Sequence, residues 1–453
     1  MTQIDQSLAL LGAAEAAERI ARGEITSEEL VRACLARIED IEETVQAWTY
    51  LDPDHALAQA RRADETRQAG MGLGPLHGVP VGIKDILDTH DMPTEQGTPL
   101  QAGRAPKRDA TMVALLRQAG AVIMGKTVTT ELALYAPGKT RNPHDPERTP
   151  GGSSSGSAAA VASGMVPLAV GSQTNGSMIR PASFCGTFGY KPTHGLISRT
   201  GVLPQSRVFD TLGVYARGIG DIALMAEQVM TYDAGDPDMA PRGRPRLVAT
   251  AAQQPPVTPA LAMVKGPAWD QAEADTRAAF AELAEALGEV CEEVELPEVF
   301  ANGITAHRTV YCADIAVSLA AFYTRGKERL SDVLVGMVEE GQRCLAVDYK
   351  HALEWRDVLN AGLDQVFERF DAILTPAAPG QAPRGLEATG DPVFCTLWTF
   401  CGTPAISLPL LNGADGMPMG VQLVGPRGDD ARLLRTARWL VEKIGATAAP
   451  SNS

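Results

Sequence analysis

Residues 149–193, TPGGSSSGSAAAVASGMVPLAVGSQTNGSMIRPASFCGTFGYKPT, are dominated by glycine, serine, alanine and threonine. A flexible Gly/Ser linker carries no apolar runs. This tract instead interleaves AAAVA and MVPLAV, which read as a closely packed helix and a buried strand. Side chains this small let backbones approach one another, which suits a site built from main-chain groups.

The flanking chain alternates helical and strand patterns. Residues 26–40, TSEELVRACLARIED, open with a capping box, Thr26 reaching forward and Glu29 reaching back. Helical pattern continues through HALAQARRADETRQAG to Gly70, and a short strand follows in VPVGIKD, with Lys84 and Asp85 at its polar end. Residues 234–258 are rich in proline and glycine and read as a surface crossing. Helical patterns dominate 268–287 and 306–370. FDAILTPAAP, GTPAISLPL and GVQLVGP read as strands, and a helix, DDARLLRTARWLVEKIG, closes the chain.

Residues 120–127, GAVIMGKT, match the phosphate-binding pattern G-x-x-x-x-G-K-[ST] letter for letter. A P-loop runs strand, glycine loop, helix. Here Gly120 ends a helical stretch, and Ala121 to Met124 form an apolar run that is itself the strand. Gly125-Lys126-Thr127 therefore reads as the turn leaving a core strand, and nucleotide binding is the lesser alternative.

Composition excludes other classes. The 453 residues carry a formal net charge of −15 and no run of Lys or Arg long enough to make a basic patch, which disfavours nucleic acid as a partner. The seven cysteines are scattered without a CxxC pair, which fits a reducing, cytoplasmic setting. No basic leader and no run of 18 apolar residues is present, so neither a signal peptide nor a membrane span is expected. The seven histidines lie far apart and form no ligand spacing, so no metal or cofactor is expected. Asp85 and Asp88 read as solvated loop carboxylates.

What remains is serine chemistry. Gly152-Ser-Ser154-Ser-Gly156 matches G-x-S-x-G, but TPGG precedes it where a strand should lead into the elbow, so serine caps of a helix fit better. A serine can also be activated by a neutral lysine. Bringing a lysine from its ordinary pKa to neutrality at pH 7 costs about 4.6 kcal/mol, which burial can impose. Lys84, at the end of an apolar strand, is the candidate, with Lys126 and Lys191 in similar surroundings.

The tract, together with PLHGVPVGIKDILDTHDMPT, GAVIMGKTVTTELA, RNPHDPERTP and GTPAISLP…GMPMGVQLVGP, resembles the amidase signature family from about residue 26 to residue 440. The resemblance implies an α/β fold, a large mixed sheet covered by helices on both sides, in a single domain over 1–453. An N-terminal helical region (1–68) and variable helices at the substrate entrance (190–370) are expected within it. It also implies a Ser–cis-Ser–Lys triad: Lys84, Ser153 on a cis peptide bond, and Ser177 as nucleophile. Backbone N–H groups of Thr174, Asn175, Gly176 and Ser177 would form the oxyanion hole. Tyr135 and Ile179 are taken as pocket walls. The expected partner is a small-molecule amide, with carbamate or ester cleavage as a side activity, and the oligomeric state is left open.

The chain departs from the common T-D-T-G-G-S-I-R form. Gln173 replaces the Asp, Asn175 a Gly, and Arg180 comes one position later; Val128 and His144 stand where Asn and Trp are frequent. These changes argue against the alternative of an amidotransferase's amidase subunit.

Overall fold

Strand-like stretches scattered along the whole chain enter one sheet. The computed structural model describes residues 5–448; residues 1–4 and 449–453, the ends of the expected domain, lie outside it. The sheet has eleven strands: β1 (Trp48–Leu51), β2 (Pro80–Lys84), β3 (Val122–Thr127), β4 (Leu168–Gln173), β5 (Phe188–Lys191), β6 (Thr211–Ala216), β7 (Leu261–Val264), β8 (Cys291–Val294), β9 (Ala372–Pro376), β10 (Ala405–Asn412) and β11 (Pro418–Val424). Their order is β1-β3-β2-β4-β6-β5-β10-β11-β9-β7-β8. Pairing is parallel for β3-β2-β4 and for β9-β7-β8, and antiparallel elsewhere, so the sheet is mixed.

Alternate residues of a strand face opposite sides. Because β2, β3, β4, β6, β9 and β11 are buried at every position, the sheet is covered on both faces. That explains why these strands read as apolar runs rather than alternations. The capping box is present: Thr26 accepts from the Glu29 amide (3.0 Å), Glu29 accepts from the Thr26 amide (2.7 Å), and the helix runs Ser27–Val45. No described helix is long and apolar enough to cross a membrane.

Three readings change. Gly125-Lys126-Thr127 is not an exit turn but the second half of β3, because β1 and β2 pair with it there on either side. Within the region 1–68, the described residues 5–68 hold helices and also β1, a four-residue edge strand between the helices Ser27–Val45 and Pro53–Gln68. Residues 190–370 contribute β6, β7 and β8 as well as helices.

The small-residue tract lies where the sheet, the helix Ser155–Ala162 and the helix Ile179–Cys185 converge. A Cβ at Gly156 would sit 2.2 Å from the Ala47 carbonyl oxygen and 2.4 Å from the Val128 nitrogen. Only glycine lets the first turn of the helix Ser155–Ala162 seat against β3, and the Gly156 amide donates to the Val128 carbonyl (3.0 Å).

Candidate active site

β2 and β4 run side by side and in parallel, so Lys84 at the end of one lies beside Ser172 near the end of the other. The Lys84 side chain is fully buried. Its Nζ lies 2.7 Å from Ser153 Oγ, 2.8 Å from Ser172 Oγ and 3.0 Å from Ser154 Oγ. Three hydroxyls and no carboxylate surround it. Burial drives its pKa well below the ordinary lysine value, opposed by the negative charge of Asp210. Three hydroxyls satisfy an ammonium through its three N–H donors and a neutral amine through two donors and its lone pair.

Ser153 follows a cis peptide bond from Gly152. Ser154 stands at the N-cap of the helix Ser155–Ala162 yet makes no capping hydrogen bond. Its hydroxyl is fully buried and is spent on Ser172, donating to that residue's carbonyl and accepting from its amide (3.2 Å each). The helix-cap reading of these serines therefore gives way to a cluster around Lys84.

Ser177 lies in the turn between β4 and the helix Ile179–Cys185 and is partly exposed, unlike the other three serines. Its hydroxyl has no protein partner among the described residues. The carbonyls of this turn are all taken. His307 Nε2 donates to Thr174 O (2.9 Å), Thr399 Oγ to Asn175 O, the Arg180 amide to Gly176 O (3.0 Å), and Tyr215 to Ser177 O (3.2 Å). The amides of Asn175, Gly176 and Ser177 donate to no protein group among the described residues. A cluster of free N–H groups beside a partly exposed hydroxyl can hold a developing oxyanion. At Gly176 a Cβ would lie 2.7 Å from Pro392 Cβ, so the turn is closely packed from behind.

Gln173 anchors this turn. Its Oε1 accepts from the Met178 amide (2.8 Å) and the Ile179 amide (3.1 Å), and its Nε2 donates to Thr399 Oγ (2.9 Å). A neutral amide thus caps the helix Ile179–Cys185. Asn175 donates to the Tyr135 hydroxyl (3.0 Å) and accepts from Thr396 Oγ (2.7 Å). Arg180 is fully buried and donates to the Gly152 carbonyl (2.6 Å) and Thr389 Oγ (3.0 Å), tying the turn to the cis bond.

Tyr135, Asn175, His307 and Asp391 line a cavity of about 430 Å³. Ile179 is fully buried in the main core and is not among its lining residues. On another side of the turn, Ser172, Thr174 and Asp210 line a second cavity of about 240 Å³. Burial pushes the Asp210 carboxyl up to about 6 against hydrogen bonds from Thr174, Gln205 and Ser206.

The other two lysines are held differently. Lys126 donates to the Leu87 carbonyl (2.8 Å) and Thr94 Oγ (2.6 Å) and faces Asp85 at 3.4 Å; Asp85 is buried, not solvated. Lys191 donates to the carbonyls of Pro192 and Thr403. His144 bonds the Cys185 carbonyl, and Val128 supports the helix Ser155–Ala162; neither reaches Lys84. Ser172, Asp210, His307 and Thr399 were not legible as site residues, and only Ser172, five residues before Ser177, had a local signal.

A family model described as Amidase matches residues 29–434. The A subunit of glutamyl-tRNA(Gln) amidotransferase from Chloroflexus aurantiacus is 35% identical, with 93% of this chain and 94% of that protein covered. The corresponding protein of Symbiobacterium thermophilum is 34% identical, with 96% and 97% covered. Among solved structures, a peptide amidase from Stenotrophomonas maltophilia superposes with a TM-score of 0.86 at 27% identity, covering 97% of this chain and 98% of that one. 6-Aminohexanoate cyclic dimer hydrolase complexed with substrate gives 0.84 at 25% identity, covering 96% and 97%.

Proposed function

Since this chain belongs to the amidase family, we propose that it hydrolyses the C–N bond of a small-molecule amide through an acyl-enzyme on Ser177. The observation that carries this reading is Lys84, fully buried among hydroxyls with its pKa driven well down by burial and one of those hydroxyls, Ser153, at 2.7 Å. Lys84 takes the Ser153 proton as Ser153 takes that of Ser177. The Ser177 oxygen bonds to the carbonyl carbon, and the carbonyl electron pair moves onto oxygen, held by the amides of the 174–177 turn. When that pair returns, the C–N bond breaks and the relayed proton reaches the leaving nitrogen. Water then repeats the sequence on the ester, releasing the acid.

The cavity lined by Tyr135, Asn175 and His307 receives the substrate, and His307 brings the 190–370 region to its wall. Ile179 packs beneath rather than at that wall. Carbamates and esters pass through the same acyl chemistry and are expected side substrates. Seven unpaired cysteines, five of them buried, support a cytoplasmic setting.

Reaction with a fluorophosphonate, followed by peptide mass spectrometry, tests the assignment. Modification of Ser177, lost in Lys84→Ala, is expected; modification of Ser154 would overturn it. A second reading, the amidase component of an amidotransferase, is favoured by the full-length likeness to such proteins. Gln173, Asn175 and the shifted Arg180 weigh against it, and glutaminase activity with a co-purifying partner would establish it.

A further inference from the structure

We infer that Asp210 and His307 are positioning residues that grip Thr174 by its hydroxyl and its carbonyl and so orient the oxyanion amides. This inference rests on Ser177 being the nucleophile. In a trans peptide the carbonyl of one residue and the N–H of the next point in opposite directions. Fixing the Thr174 carbonyl on one side therefore fixes the Asn175 N–H on the other.

His307 does the fixing. Its Nε2 lies 2.9 Å from Thr174 O, and because a carbonyl only accepts, that nitrogen carries the proton. Burial pulls the imidazole down to about 4, so it is neutral near pH 7. The ring itself is held by Phe209, stacked at 4.5 Å between centroids and 19° between planes. The next residue, Asp210, takes the Thr174 hydroxyl at 2.6 Å through Oδ1. Its Oδ2 accepts from the Gln205 and Ser206 amides (2.8 and 3.1 Å), so the carboxylate cannot rotate without breaking both. Two adjacent residues before β6 thus serve both halves of the grip.

The same loop is bound to the helix Asn302–Ser318. Tyr311 donates to Gln205 Oε1 (3.0 Å), and Ser206 donates to Asp314. That helix also supplies His307. The nucleophile turn is therefore referenced to a helix of the 190–370 region, whose His307 also lines the larger cavity.

The test uses the full chain and a fluorophosphonate, separating the maximal rate of Ser177 modification from the probe's apparent affinity. Asp210→Ala, Thr174→Val and His307→Phe are each expected to lower the maximal rate by about 10- to 100-fold, with affinity changed less than about threefold in the first two, which do not line the cavity that takes the substrate. His307→Gln, which restores an N–H donor, is expected to recover most of its loss. Adding Thr174→Val to Asp210→Ala should cost little beyond Asp210→Ala alone, since the contact it removes is already gone. Thermal melts establish that each variant is folded, and Thr174→Val, a near-isosteric change, serves if Asp210→Ala is not. Folded variants modified at the parent rate, or losses that multiply in the double variant, would overturn the inference. An unmodified Ser177 in the parent would instead overturn the functional reading beneath it.

Discussion

Replacing Gln173 with leucine removes one fully buried amide and nothing else of comparable size. A leucine side chain there can neither accept from the Met178 and Ile179 amides nor donate to Thr399, three bonds that now measure 2.8, 3.1 and 2.9 Å. Each buried N–H left unpaired costs about 1–3 kcal/mol. The leucine's better transfer into the core offsets part of this, leaving a loss of about 2–4 kcal/mol. With an unfolding entropy of about 2 cal/mol/K per residue, a chain of this length changes by roughly 1 kcal/mol per kelvin, so the melting temperature falls by about 2–4 °C. Calorimetry measures that fall, and the Ser177 labelling rate should drop at least tenfold, since Thr399, freed from Gln173, also holds the Asn175 carbonyl. Gln173→Glu keeps both acceptor bonds and is expected to recover at least half of the lost stability. A leucine variant that melts within about 1 °C of the parent and labels at the parent rate refutes the reasoning.

Gly156→Ala places a Cβ against the backbone of Ala47 and Val128, and the overpacking is expected to cost about 1–3 kcal/mol in urea unfolding. Lys84→Met should slow Ser177 labelling by about 10²–10⁴-fold, the usual worth of a general base. Because the folded pKa of Lys84 is lowered, the unfolded chain binds a proton that the folded one does not. Stability of the parent therefore rises with pH toward the ordinary lysine value, and the Met variant lacks that slope in urea titrations at several pH values. Asp233 is held down to about 2, first by the Ser198 hydroxyl and then by the Gly235 amide and Thr111. Its contribution is present above about 4 and lost as pH falls toward about 2, so the gap between the parent and Asp233→Asn should close on acidification.

Much of the sheet was legible because its strands are covered on both faces and bounded by glycine or proline. β1 was not: four residues between two long helices carry no period of their own, and its place is set by pairing with β3. The same pairing carries β3 through Gly125-Lys126-Thr127, where local pattern suggests a turn. Lys84, Lys126 and Lys191 look alike in sequence, each at or near a strand's end, and all three are fully buried. What separates them is partners from distant parts of the chain. Lys126 has a carboxylate and carbonyls, Lys191 carbonyls, and Lys84 only hydroxyls. His307 and Asp210 were illegible for the same reason, since their contacts to Thr174 span 133 and 36 positions.

The ring of hydroxyls around Lys84 has a consequence for how the site responds to its medium. A proton passing among Ser177, Ser153 and the amine makes no ion pair with a neighbouring carboxylate, and the three groups together hold the same total charge before and after the serine is activated at the amine's expense. Dissolved salt acts on separated, exposed charges within a Debye length of about 10 Å at 0.1 M. The acylation step of a neutral substrate is therefore expected to be nearly indifferent to ionic strength, even on a protein whose surface carries a net charge of −15.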